Sequence, residues 1–414
     1  MNRSTKIENQ MRYHAVFGWV LLLILLLPLA ASAAEIAADS ELEQPLGVSR
    51  ERGALRLGPV DLHPSVSVKE SYSDNIYATR DAKQHDFLMV LTPGIYLQLP
   101  VRNHTFSLAA NTTLTRYAKF TTENTNDYFI NGTGNLMFGS RVNLKLSDTY
   151  IRGHEPRGSS SSGDIEKFIN NTAAVSMTYL LAEVSKVQLD VSETDWDYKT
   201  STFRSRKEDL LSAYIYYRLM PKTSAFVQYN FKDVTFDQGS LDLDNRTHSG
   251  LLGITWEATG KSKGSIAAGY LSKRFDFASK GHLRTWTANA DINHNFTEYT
   301  SLRLLGKREV NEASLLGTRY YVTTGLYGEL THRFLQRLAA VLKASYGEDK
   351  YSDIIPGDTM LRKDKTSTAG VGLRYYMRRW LDFSLEYNYR KKDSNISAYS
   401  FSENAFSLMM NASF

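Results

Sequence analysis

The sequence predicts an all-β chain: a transmembrane antiparallel up-and-down β-barrel of 16–18 strands, about 18 by direct count, preceded by a cleaved signal peptide. Three observations predict it. Segments in which apolar and polar residues alternate recur along the chain, short polar turns alternate with longer polar loops between them, and the chain ends on an alternating strand closed by Phe414.

The amino terminus comes first. Residues 1–14 carry Arg3, Lys6 and Arg12 against Glu8, an apolar run follows from Ala15 to Leu29, and then comes Ala30–Ala31–Ser32–Ala33–Ala34. A positive start, an apolar middle and an Ala-x-Ala site make a secretory signal peptide over 1–33, cut after Ala33 or one residue later. An uncleaved helical span is the weaker alternative, because the run falls short of the ~20 residues a bilayer requires and carries Pro28. The chain is therefore expected to be exported. Residues 34–64 read as a periplasmic N-terminal arm, with a short segment folded into the lumen as the alternative, and 65–414 as the outer-membrane barrel.

Composition narrows the function classes. With no cysteine there is no disulfide framework, thiolate metal site or cysteine nucleophile. The basic excess of 5 falls to 3 once residues 1–33 are removed, too even a balance to argue for nucleic acid as a partner. The 25 Tyr and 19 Phe sit in a chain with no further apolar run long enough for a membrane helix. A membrane barrel has this composition, because only alternate residues of each strand face lipid.

The strands follow in order. Val142, Leu144 and Leu146 alternate with Asn143, Lys145 and Ser147; Val187, Leu189 and Val191 with Gln188, Asp190 and Ser192. Ala225, Val227, Tyr229 and Phe231 alternate with Gln228, Asn230 and Lys232; Trp286, Ala288, Ala290 and Ile292 with Thr287, Asn289, Asp291 and Asn293. Leu381, Phe383, Leu385, Tyr387 and Tyr389 alternate with Asp382, Ser384, Glu386 and Asn388. Each pattern has period 2 over a length near the ~9–11 residues of a tilted membrane strand.

The connections alternate too. Short turns fall near 100–103, 139–140, 182–183, 220–222, 259–261, 297–298, 335 and 379–380. Longer polar loops fall at 75–85, 120–125, 152–164 (with its Ser159–Gly163 run), 199–207, 237–245, 277–281, 312–317, 350–364 and 391–402. Short periplasmic turns and long extracellular loops are the layout of an outer-membrane barrel. Pairing strands across nine long loops gives nine hairpins, with both chain ends on the periplasmic side. Closure is required because hydrocarbon offers no water to unpaired backbone amides. Tyr214–Tyr216–Tyr217, Tyr320–Tyr321 and Tyr375–Tyr376 are read as interfacial girdle positions. A soluble β-sandwich is the alternative, and it would need larger apolar cores than these segments supply.

The last strand places Phe406, Leu408, Met410, Ala412 and Phe414 on one face. It resembles the terminal strand of bacterial outer-membrane barrels, whose final aromatic is recognised by the barrel assembly machinery. The first strands carry a second resemblance. Tyr72, Asp74 and Asn75 are followed by Asp86–Phe87 and by Pro93–Gly94, a pattern that resembles the opening of the putative β-barrel porin-2 family. That resemblance implies an outer membrane of a Gram-negative bacterium and an association with exopolysaccharide synthesis and export and with exosortase-type systems. It carries over no catalytic or binding residues. In physical terms Asp74–Asn75 initiates a turn at the outer rim, and Pro93–Gly94 bends the second strand or marks a bulge.

Enzymatic signatures are weak: there is no His-Glu-x-x-His and no phosphate-cradling glycine loop. His248, His282 and His332 read as hydrogen-bonding rim residues, and Asp237, Asp242 and Asp244 as a solvated acidic loop rather than a calcium site. No catalytic, cofactor or metal residues are assigned. The lumen carries the functional expectation, lined by Lys145, Asp190, Asp291, Arg303, Lys307, Lys343, Arg374 and Glu386. A porin-like channel serving exopolysaccharide export or passage of hydrophilic saccharides follows. The alternatives are a non-conducting barrel that docks a periplasmic or surface partner, and a barrel enzyme acting on lipid or glycan. The expected partners are outer-membrane lipid, the assembly machinery, polysaccharide and periplasmic export components.

Overall fold

Alternation with period 2 becomes a ring of strands in the computed structural model, which describes residues 55–158, 165–239, 242–312 and 314–414. The expected leader (1–33), most of the expected arm and the Ser159–Gly163 run lie outside the described residues. A short β1 (Leu55–Leu57) precedes β2 (Val60–Ser73), β3 (Asp86–Val101), β4 (His104–Tyr117) and β5 (Thr125–Phe138). Then come β6 (Val142–Glu155), β7 (Glu166–Ala182), β8 (Ser185–Tyr198), β9 (Arg206–Met220) and β10 (Thr223–Phe236). The second half holds β11 (Asn245–Thr259), β12 (Ser262–Phe275), β13 (His282–Asn295), β14 (Thr300–Glu312) and β15 (Tyr320–Leu335). It ends with β16 (Leu338–Tyr351), β17 (Lys363–Arg378), β18 (Leu381–Ser394) and β19 (Phe401–Ser413).

Every strand from β2 to β19 pairs antiparallel with its sequence neighbours, and β19 pairs back onto β2 from Ala405↔Ser73 to Ser413↔Ser65. The barrel is thus closed with eighteen strands, and β1 caps the protruding edge of β2 at Val60–Leu62. Residues 55–64 therefore form β-structure that the expected 64/65 boundary divides: Gly58, at φ +63°, turns Leu57 back to pair with Val60.

The connections sort the two ends. Eight turns of two to four residues lie at one rim and nine loops of six to twelve residues at the other. Phe414 marks the short-turn rim: its amide donates to the Pro64 carbonyl (3.0 Å) and its ring stacks on Trp380 at 5.1 Å. Register shifts cluster at this rim as well, for example Thr223/Ser224 and Arg333/Leu335, where strands must re-aim into tight turns.

Which face looks outward follows from exposure. Leu252 is 68% exposed, Ile215 61% and Leu408 56%, while their strand neighbours on the other face are half-buried or buried. Register carries each face around the ring, because directly paired residues share a side. Phe406, Leu408 and Phe414 lie on the outward apolar face. Of the expected girdle tyrosines, Tyr217 and Tyr375 are exposed outward, but Tyr214 and Tyr216 fall on the inward face. They are two residues apart on β9, Tyr214 pairs with Gln228 and Tyr216 with Phe226, and their rings stack at 5.8 Å. At Pro93 no extra residue is inserted. The β3–β4 ladder drops out between Leu91↔Leu114 and Gly94↔Asn111 in constant register, since proline has no amide to donate.

Candidate functional site

The inward wall changes character around the ring. From β3 to β5 and from β9 to β13 it is lined at mid-height mainly by Ser, Thr, Asn and small apolar residues, with the Tyr214–Tyr216–Phe226 aromatic cluster among them. From β14 to β18 it is densely charged.

The eight lumen positions nominated from sequence all lie on the face opposite the apolar belt. Lys145 pairs with Ser176, whose hydroxyl donates to the Asp190 carboxylate at 2.6 Å, so these three share one patch. Asp291 pairs with Leu305, Arg303 with Asn293 and Glu329, and Lys307 with Asn289 while donating to Glu309. Lys343 reaches Glu386 at 3.3 Å, and Arg374 binds Asp382 at 2.9 Å. Signs alternate along this arc, which makes the wall wettable without a large single-sign field.

The outer mouth is built differently, and local pattern did not single out its residues. Charged side chains there are buried and interlocked. Glu312 at the end of β14 accepts from Lys273 at 2.7 Å on both carboxylate oxygens, from Asn245 at 3.0 Å and from Lys232 at 3.4 Å. Lys232 also meets Glu208 at 2.8 Å. On the facing side Arg362 pairs with Asp364 at 2.7 Å, lies 3.6 Å from the Tyr399 ring centroid, and shares Asp364 with Lys392. The loop after β6 bends in between. The Arg157 guanidinium holds Glu123, its carbonyl accepts from Arg390, and the Gly158 carbonyl accepts from Lys392. Arg204 closes onto Glu155 across the neighbouring loops.

A cavity of about 420 Å³ lies just inside this mouth, lined in part by Lys307, Asp349, Tyr321, Arg390 and Lys392. Local pattern does not carry the contacts that cross between strands that are not neighbours, such as Glu312 with Lys232 and Arg390 with the Arg157 carbonyl, whose partners lie 80 and 233 residues apart.

The motif residues of the first strands are structural. The Asp74 carboxylate receives the Asn404 amide and side chain. Asn75, buried, donates to the Thr79 and Ser402 carbonyls, and Asp86 accepts the amides of Phe87, Lys119 and Phe120. Tyr72 packs on Phe87 at 5.0 Å, and Gly94 leaves room for Ser65, whose hydroxyl a Cβ would approach to 2.9 Å.

The three histidines bond hydroxyls: His248 that of Tyr229, His282 that of Ser272 and His332 that of Thr300. Among the described residues no carboxylate bonds the other ring nitrogen of His282, so the Ser272–His282 pair has no orienting acid. Asp244 accepts the Phe236 amide, and the described residues hold no group of three or more His, Asp and Glu arranged for a metal.

Comparisons with known proteins give a family and several structural likenesses. The family model described as putative beta-barrel porin 2 matches residues 53–414. Among solved structures, Pseudomonas aeruginosa OccK2 (OpdF) is 11% identical with a TM-score of 0.50, covering 85% of this chain and 98% of that one. Pseudomonas aeruginosa OpdL is 14% identical with a TM-score of 0.47, covering 86% of this chain and 99% of that one. Acinetobacter baumannii OccAB4 is 11% identical with a TM-score of 0.47, covering 85% of this chain and 98% of that one. No curated protein matches.

Proposed function

The chain belongs to the putative beta-barrel porin 2 family and is a porin-like outer-membrane barrel, and from that premise we propose that it passes hydrophilic solute, saccharide in particular, across the outer membrane of a Gram-negative bacterium. The observation that carries this reading is the inward wall: a closed ring of eighteen strands whose lumen face is polar and carries both signs of charge. A barrel of that size encloses an aqueous path unless something fills it. The saccharide assignment, and export of exopolysaccharide as its setting, rests on the resemblance of the first strands. The first test is single-channel conductance of the refolded mature protein in a planar bilayer. Discrete steps that added polysaccharide blocks support the reading, and an inserted, folded protein that stays silent sinks it.

One observation favours a second reading. The interlocked loops at the outer mouth suit a barrel that docks a partner and conducts little. Persistent silence together with an intact cellular phenotype for lumen variants would select that alternative.

A further inference from the structure

We propose that the outer end of the β14–β15 hairpin is a lid folded into the lumen and latched to the inner wall by Glu312, and that its release widens the outer mouth. The widening rests on the channel reading above; the latch does not.

The geometry begins with a fork in the wall. β13 and β14 pair only from Ala288↔Arg308 to Asn295↔Ser301. Beyond that point β13 stays in the wall, paired with β12 up to Arg274↔His282, while β14 stays with β15 up to Glu312↔Tyr320. Residues 282–287 and 309–312 therefore have no ladder between them. The fork opens at the level of Trp286 and Tyr270, exposed outward aromatics that pair across β12 and β13, so the unpaired edges lie at and above the interface rather than in hydrocarbon.

The direction in which β14 departs is fixed by what Glu312 touches. Its partners are Lys273 on β12, Asn245 on β11 and Lys232 on β10. In a flat wall β10 and β14 are about 19 Å apart, at ~4.8 Å per strand, beyond the joint reach of a lysine and a glutamate. Lys232, Asn245 and Lys273 all share the inward face by register, yet Glu312 stands at an outward position of β14. Both facts hold only if the hairpin end folds across the lumen and lays its outer side on the inner side of β10–β12. Arg308 fills the fork: its guanidinium donates to Thr285 and Thr324 and lies 4.4 Å from the Trp286 ring centroid. Phe275 stacks on Tyr320 at 6.3 Å, and Leu315 and Thr318 are buried under the fold.

The latch is the element whose loss frees the lid. Lys273 is 1% exposed and its counter-ion is Glu312. A buried charge left without its partner is strongly destabilising, and here the cost is relieved by moving the hairpin away and admitting water. Release removes the hairpin end from the space beside the inner cavity, whose lining includes Asn311 and Tyr321 of the same hairpin.

The chain has no cysteine, so labels can be placed without background. Spin labels at Leu316→Cys, on the hairpin end, and Lys207→Cys, on the wall, report the distance between them by pulsed electron paramagnetic resonance. Glu312→Gln, and independently Lys273→Gln, should lengthen and broaden that distance distribution and at least double the single-channel conductance. Glu348→Gln, an ion-pair change on the outward face, should do neither. A distribution unchanged in both latch variants, in protein that still shows heat-modifiable migration, overturns the lid. A lid that moves while conductance stays at the wild-type level overturns its role at the mouth. A lid that moves in a protein silent in every form leaves the latch standing and overturns the channel reading instead.

Discussion

The carboxylate of Asp74 receives both amides of Asn404, the backbone N–H at 2.8 Å and the side-chain Nδ2 at 2.7 Å, and so ties the first barrel strand to the last. These are hydrogen bonds to a charged acceptor at the seam that closes the ring, and no covalent turn holds that seam. Asp74→Ala should cost about 1–3 kcal/mol, seen as conversion of the compact band to the unfolded band at lower temperature on a detergent gel. Asn404→Ala should cost less, because its backbone N–H still donates to Asp74, and the double variant should cost little more than Asp74→Ala, which already removes both bonds. Additive losses would show that the two residues act separately.

Gly269 is the sharpest backbone requirement in the wall. A Cβ there would fall on the Gly250 carbonyl oxygen and within 2.6 Å of the Leu251 Cα, both backbone atoms of the paired strand β11. Gly132, by contrast, has nothing within 4 Å of its Cβ position. Gly269→Ala should therefore reduce the yield of folded barrel sharply on refolding into detergent micelles, while Gly132→Ala folds as wild type. Equal yields for the two variants would contradict the register between β11 and β12.

Much of this barrel was legible because lipid on one side and water on the other impose period 2, and each segment such as Trp286–Asn293 states its own two faces. The nine long loops and eight short turns were legible for a related reason: polar runs of unequal length mark the two rims. The role of Asp74 was not, since its partner Asn404 lies 330 residues away and the pairing exists only once the ring closes. Tyr214 and Tyr216 were misplaced because tyrosine suits a girdle and a lumen equally, and only register decides between them. Glu312 could not be nominated at all. Its position falls in the expected 312–317 loop, and its meaning arises where β14 leaves β13, a tertiary event that no local pattern carries.

The charged arc gives a paired prediction about ion selectivity. Glu386 compensates Lys343, and Arg374 compensates Asp382. Glu386→Gln leaves the lysine in excess and should move the reversal potential under a salt gradient toward anion selectivity. Arg374→Gln leaves the aspartate and should move it toward cation selectivity. Shifts of the same sign, or none in a conducting protein, would place these side chains away from the permeation path.

The clasp between the two outer loops at 314–319 and 352–362 should respond to acid in a defined direction. Asp353 accepts from the Arg319 amide at 3.0 Å, and the two side chains form an ion pair at 2.9 Å. Partial burial acts to raise the Asp353 pKa, but the hydrogen bonds from Arg319 and Ser352 outweigh it and hold the carboxyl below its ordinary value of 3.8. A carboxyl depressed in the folded state contributes stability that is present in full above the unfolded value and is lost as the pH falls through the folded one. Pepsin cleavage in these loops measures this, with wild type and Asp353→Asn compared at each pH. Wild type should resist better than the variant above pH 3.8, with a constant margin, and the margin should close as the pH falls below that value. A margin that widens in acid would mean that the protonated carboxyl, rather than the carboxylate, holds the clasp.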